Sequence, residues 1–137
     1  HPYFPALGKS WSGGEPLPGG DFGIGDRHEL VLWLQRSFEF LTAEWATRLV
    51  TAYGTDAFMI LEGAVSREDL GQHFGGTLHA REVDWLVTRE WATSADDILW
   101  RRSKLGLVLT AAEASDLDSH LGGTRKASAG DNVAVAE

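Results

Sequence analysis

The chain has 137 residues, 43% hydrophobic and 23% charged, a balance that suits one domain with a buried core rather than a disordered tract. Twenty acidic against twelve basic residues leave a net charge of -8, so neither a nucleic-acid partner nor an unaided hold on anionic lipid is expected. The absence of cysteine removes disulfides, thiol catalysis and cysteine-ligated metal clusters, and it fits a cytoplasmic setting.

Residues 1–25 are rich in Gly and Pro and read as an irregular lead-in. A first helix follows, with Leu30, Trp33, Leu34 and Phe38 at helical spacing, Asp26 as its cap and Glu29 as the capping-box partner. A second helix carries Trp45, Leu49 and Ala52 on one stripe, capped by Thr42 and closed by Gly54. Thr55 caps a short third helix. The stretch from Ser66 to Leu78 is interrupted by Gly71, Gly75 and Gly76 and reads as a turn or a single helical turn. A further helix places Val83, Leu86, Val87 and Trp91 on one face. The next starts at Ser94, with Asp97 as its capping partner, and is expected to run to Leu109. The last begins with the Thr110/Glu113 pair and is expected to stop at Gly122 and Gly123. No alternating run predicts a strand, and no internal repeat is seen. The reading is all-α: an irregular bundle of about six helices over residues 26–123, with the lead-in before it and a flexible tail at 124–137.

Few stretches of the chain carry residues in a catalytic or metal-binding pattern. Gly23 and Gly25 lack the third glycine of a dinucleotide fingerprint, because position 28 is His, and read as a surface turn. His73 and His79 lie six apart, near Asp69, Glu82 and Asp84, in no known zinc spacing. There is no Gly-x-Ser-x-Gly elbow. Asp96 and Asp97 are adjacent, so on a helix they point about 100° apart and suit the first turn better than acid–base work. In the stretch from Asp97 to Leu109, Ile98, Leu99, Leu105 and Leu109 share an apolar stripe, and Asp97 and Arg101 are spaced for a helical ion pair. Arg102 falls on the apolar stripe and needs a partner, for which Glu90 and Asp69 are candidates. Glu90, Asp97, Arg101, Arg102 and Lys104 are therefore the candidate structural or interdomain ion-pair residues. Arg102 either clamps the fold or docks on another domain or a phosphate.

Four stretches carry a family resemblance: "LPGGDF" at 17–22, "YG" at 53–54, "DLGQHFGG" at 69–76 and "EVDWLVTREWATSADDILWRRSKLGLVL" at 82–109. In order and spacing, from about residue 11 to about residue 121, the chain resembles the C-terminal helical domain of the FAD-dependent, aerobic glycerol-3-phosphate dehydrogenases. The glycerophosphate oxidases share a related domain and are the nearest alternative; a free-standing helical interaction module is the other. The resemblance implies a parent enzyme that oxidises sn-glycerol 3-phosphate to dihydroxyacetone phosphate with FAD and passes electrons to quinone. It implies a location peripheral to the inner membrane. The flavin and substrate residues of that family lie upstream of "LPGGDF", so no catalytic, cofactor-binding or metal residue is assigned to this chain. The lack of an initiating Met fits a piece cut from something longer. The implied partner is the protein's own N-terminal FAD domain, with a homodimer interface as a further role. Trp91 and Trp100, rimmed by Arg101, Arg102 and Lys104, are the expected contact patch.

Overall fold

The computed structural model describes residues 13–23 and 25–131, with 124–131 given as helical backbone. Its helices are α1 (Arg27–Ser37), α2 (Ala43–Tyr53), α3 (Asp56–Leu61), α4 (Ala80–Glu90) and α5 (Ala111–Asp131), with short 3₁₀ turns at Glu68–Leu70 and Leu105–Leu107 and a π-helical turn at Asp97–Arg102. The all-α irregular bundle expected from the periodicity is the architecture found.

The lead-in is not free of the bundle. The Gly19 carbonyl accepts the Thr55 N–H at 2.9 Å, across the corner between α2 and α3. Both backbones must come close there. A Cβ on Gly54, at φ +55°, would lie 1.8 Å from the Gly19 oxygen, and one on Gly19 would lie 2.1 Å from the Tyr53 oxygen.

One apolar core joins all the helices. α1 supplies Leu30, Val31 and Leu34; α2 supplies Trp45, Ala46, Leu49 and Val50; α3 supplies Ala57, Ile60 and Leu61; α4 supplies Val83 and Leu86; α5 supplies Leu117 and Leu121. α2 starts because Thr42 Oγ1 accepts the Trp45 N–H at 3.2 Å. α5 starts on a reciprocal capping box: the Glu113 carboxylate accepts the Thr110 N–H at 2.7 Å, and Thr110 Oγ1 accepts the Glu113 N–H at 3.3 Å.

Several local expectations are corrected. A small antiparallel hairpin, β1 (His73–Gly75) with β2 (Leu78–His79), stands where no strand was expected. Strands this short show no alternation, but they bury Phe74 and Leu78 and feed straight into α4. Asp26 and Thr55 make no side-chain cap. Trp33 and Ala52 face outward rather than onto the buried stripe. The segment after Ser94 does not form one helix to Leu109. Gly122 and Gly123 do not end α5, which continues to Asp131, since glycine weakens a helix without forbidding it.

Beneath α2 and α4 lies a polar cluster that no sequence spacing announces. Arg48 grips Glu82 with two parallel bonds of 2.7 Å, and Tyr53 Oη donates to Glu82 Oε1 at 2.7 Å. The Glu82 side chain is 4% exposed and that of Arg48 20%. Burial works against the Arg48 charge, yet its bond to Glu82 and that carboxylate's charge outweigh it and leave the guanidinium pKa raised. Burial, then the Glu82 charge, pushes the Tyr53 hydroxyl upward, so it stays a proton donor.

Removing one member of a buried pair strands the other. Glu82→Ala should destabilise the fold by about 3 kcal/mol or more in urea denaturation. Tyr53→Phe leaves the pair intact and should cost only about 1 kcal/mol.

Candidate interdomain surface

The segment that leaves α4 is shaped by charge and by strain. The Trp91 N–H returns to the Leu86 carbonyl, and the Ala92 N–H meets the same oxygen at 2.9 Å. This closure requires Trp91 to adopt φ 54°, ψ 33°, the left-handed region that a bulky side chain seldom occupies. It also leaves the Glu90 carbonyl facing Arg102, which donates to it from Nε at 3.1 Å and Nη2 at 2.6 Å. A guanidinium therefore caps the negative end of α4.

Asp97 is the other anchor. Its Oδ2 accepts both the N–H and the hydroxyl of Thr93 at 3.0 Å. Its own N–H donates to Ser94 Oγ at 3.2 Å, as expected of a cap. Its Oδ1 accepts from Arg101 Nη1 at 2.5 Å and lies 3.8 Å from Arg102 Nη1. The Thr93 N–H above all, then the Thr93 hydroxyl, holds the Asp97 carboxyl below the usual carboxylate range.

Thus Glu90, Asp97, Arg101 and Arg102 come together, and Lys104 does not join them. The helix that should have carried Lys104 onward ends early. The Ser103 N–H reaches the Ile98 carbonyl, five residues back, at 3.0 Å, and its hydroxyl donates to the same oxygen at 2.7 Å. Lys104 then turns into the left-handed region at φ 60°, and its ammonium folds back on the Trp100 carbonyl. Gly106 follows because the Trp100 indole occupies the space where a Cβ would sit, 2.5 Å from Cε2. Asp69, the other candidate partner for Arg102, instead accepts the Val65 and Ser66 N–H groups at 2.9 and 2.8 Å.

This closure exposes apolar surface. Trp91 is 83% exposed, and Trp100, Leu107 and Val108 are exposed with it. Beside Trp100 a cleft of about 620 Å³ opens between this segment and α5, floored by Leu99, Leu109 and Ala114 and edged by Asp96 and Asp118.

The described residues hold no group of three or more His, Asp or Glu placed to bind a metal, and no helix long and apolar enough to cross a membrane. His73 and His79 do meet, with ring centroids 4.8 Å apart, but Glu82 is turned away to Arg48. Gly23 and Gly25 form a turn into α1 with no strand before it among the described residues.

Two consequences can be measured. Arg102→Ala releases the end of α4 and should cost about 2 kcal/mol, whereas Arg101→Ala, at a largely exposed side chain, should cost less than about 0.5 kcal/mol in the same denaturation series. The depressed Asp97 carboxyl stabilises the fold fully above about pH 4, and that contribution is lost as pH falls toward its folded value. Stability should therefore fall less steeply below pH 4 in Asp97→Asn than in the parent chain.

Comparison with known proteins gives this architecture relatives. Residues 12–119 match the family model for the C-terminal domain of alpha-glycerophosphate oxidase. A glycerol-3-phosphate dehydrogenase of Pseudomonas aeruginosa is 43% identical over 120 residues, 88% of this chain. The aerobic glycerol-3-phosphate dehydrogenase of Escherichia coli is 37% identical over 120 residues, again 88% of this chain. A D-erythritol 1-phosphate dehydrogenase of Brucella abortus is 39% identical over 110 residues, 80% of this chain. The chain spans only 22% to 24% of the length of these three relatives. With its family model matched across most of its length, this chain belongs to the family of the C-terminal domain of alpha-glycerophosphate oxidase.

Proposed function

We propose that the chain is the accessory C-terminal domain of an FAD-dependent glycerol-3-phosphate dehydrogenase. The observation that carries this reading is the match to glycerol-3-phosphate dehydrogenases over 88% of this chain and about a quarter of theirs. The whole enzyme would oxidise sn-glycerol 3-phosphate to dihydroxyacetone phosphate and pass the electrons to quinone from a cytoplasmic position peripheral to the inner membrane. FAD would accept the hydride in the larger N-terminal portion. The residues described here do not fit a flavin, since the one Gly-x-Gly turn lacks both the strand and the third glycine that cradle a pyrophosphate. The Brucella relative supports a second reading, in which the substrate is another polyol phosphate.

In this reading the domain's work is to dock. A strained, exposed tryptophan is costly for an isolated domain and useful as an anchor in an interface. Trp91 and Trp100 would seat in the N-terminal portion, with the exposed guanidinium of Arg101 and the Lys104 ammonium at the rim. The inward-held Arg102 keeps the platform rigid. A second copy of the protein is the other partner such a face could receive.

Trp91→Gly separates strain from contact. Glycine relaxes the left-handed position, so the isolated chain should become as stable or more stable, by up to about 1 kcal/mol. The same change, or Arg101→Glu with Lys104→Glu, made in the full-length protein should loosen flavin retention and lower quinone-linked turnover several-fold. Unchanged flavin content and turnover in both full-length variants would reject this face as the interface.

A further inference from the structure

Around the turn of the β1–β2 hairpin lies a pocket of about 350 Å³ that the docking role does not use. Thr42, Trp45, Arg67, His73, Thr77 and His79 line it, with no carboxylate among the lining residues, in a chain that carries twenty acids. Its parts are held in order. The His79 ring stacks on Trp45, centroids 5.0 Å apart and 15° from parallel. The Arg67 guanidinium lies over the same indole, 5.4 Å from its centroid. Its hydrogen bonds from Nε and Nη2 to the Phe40 carbonyl are long, at 3.4 Å, so most of its donor capacity is available.

The two imidazoles are each fixed by a carbonyl. His79 Nδ1 lies 3.3 Å from the Thr77 carbonyl, and His73 Nε2 lies 3.0 Å from the Gly76 carbonyl. A carbonyl only accepts, so those nitrogens carry the hydrogens, and His79 Nε2 and His73 Nδ1 are left for something else. Two residues of the lining, Trp45 and Thr77, also carry buried polar atoms without a partner, Nε1 and Oγ1.

We propose that this pocket is a binding site for a small tetrahedral oxyanion, a phosphate or the phosphoryl group of a phosphomonoester. Arg67 supplies the permanent charge and a planar fork suited to phosphoryl oxygens. The two remaining imidazole nitrogens belong to the hairpin that lines the pocket and can either receive a P–OH hydrogen or donate one once protonated. A carboxylate offers two oxygens in one plane, whereas a tetrahedral group has oxygens for all three side chains. Burial lowers the His79 pKa, with the nearby His73 and Arg67 acting in the same sense and the Thr77 carbonyl and Glu82 opposing them. A bound anion would reverse that balance and draw a proton onto the ring.

The proposal does not rest on the enzyme reading, because it is tested on this chain alone. Inorganic phosphate and glycerol 3-phosphate are titrated at constant ionic strength, with chloride as control, while imidazole NMR resonances and heats of binding are recorded. Saturable binding with a Kd of about 5 mM or tighter is expected, with the His79 titration shifted to higher pH and Arg67→Ala weakening affinity at least about tenfold. Equal binding of both probes would assign recognition to the phosphoryl group; binding of the ester alone would add its organic arm to the site. No saturable shift of His73 or His79 with either probe up to about 50 mM, or unchanged affinity in Arg67→Ala, would overturn it. Should Arg67→Ala unfold, His73→Ala at an exposed ring is the deciding variant: an affinity loss of about threefold supports the site and no loss overturns it.

Discussion

A carboxylate buried at the first turn of α4 is tolerable only while a cation stays beside it, and the Glu82–Arg48 pair is built on that condition. Arg48 lies on α2, and one of its nitrogens also reaches toward the Thr77 carbonyl at 3.5 Å, in the turn of the hairpin. Tyr53, the last residue of α2, closes the same carboxylate from another side. Three segments far apart in sequence are thereby fixed in one arrangement. Apolar packing alone would tolerate sliding between α2 and α4; a desolvated two-pronged ion pair does not. Tyr53 also adjoins the corner where Gly19 meets Gly54, so the entry path of the chain is set by the same region.

The other face works by a different balance. The segment after α4 buries Ile98, Leu99 and Leu105, but its turns are set by polar anchors at both ends, Arg102 on the Glu90 carbonyl and Asp97 on Thr93. Holding a six-residue turn from outside favours a local helix that is wider than α and ends at once. The consequence is a left-handed tryptophan and a row of apolar side chains turned to solvent. In a lone domain these would be defects. In a protein as long as the relatives, about four times this chain, they would suit the proposed interface between domains.

The two regions also share a logic of charge. In an acidic chain, three of the cations are each set against a specific group: Arg48 on Glu82, Arg102 on the end of α4, and Arg67 over Trp45. Arg101 on Asp97 and Lys104 on the Trp100 carbonyl are also held, but both stay mainly exposed beside the apolar row.

Much of this was legible in the residues themselves. Period 3.6 and the caps at Thr42 and Thr110 located α2 and α5, because caps and stripes are local and each needs only a few neighbouring residues. The Asp97–Arg101 pair was readable for the same reason. The family and its C-terminal position were readable from the pattern at 69–109. What remained hidden is non-local. Arg48 and Glu82 are 34 residues apart, and nothing in their spacing says that they meet. The hairpin escapes because its strands have two and three residues, too few to show a period. The break at Lys104 escapes because it depends on Glu90 and Thr93 reaching in from the preceding segment and on an indole covering Gly106. The sequence by itself thus determined most of the helices, several of their caps and the family. Only the tertiary structure decided which charges are buried together and which aromatic rings are left outside, since burial and pairing energies depend on distances that no one-dimensional spacing contains.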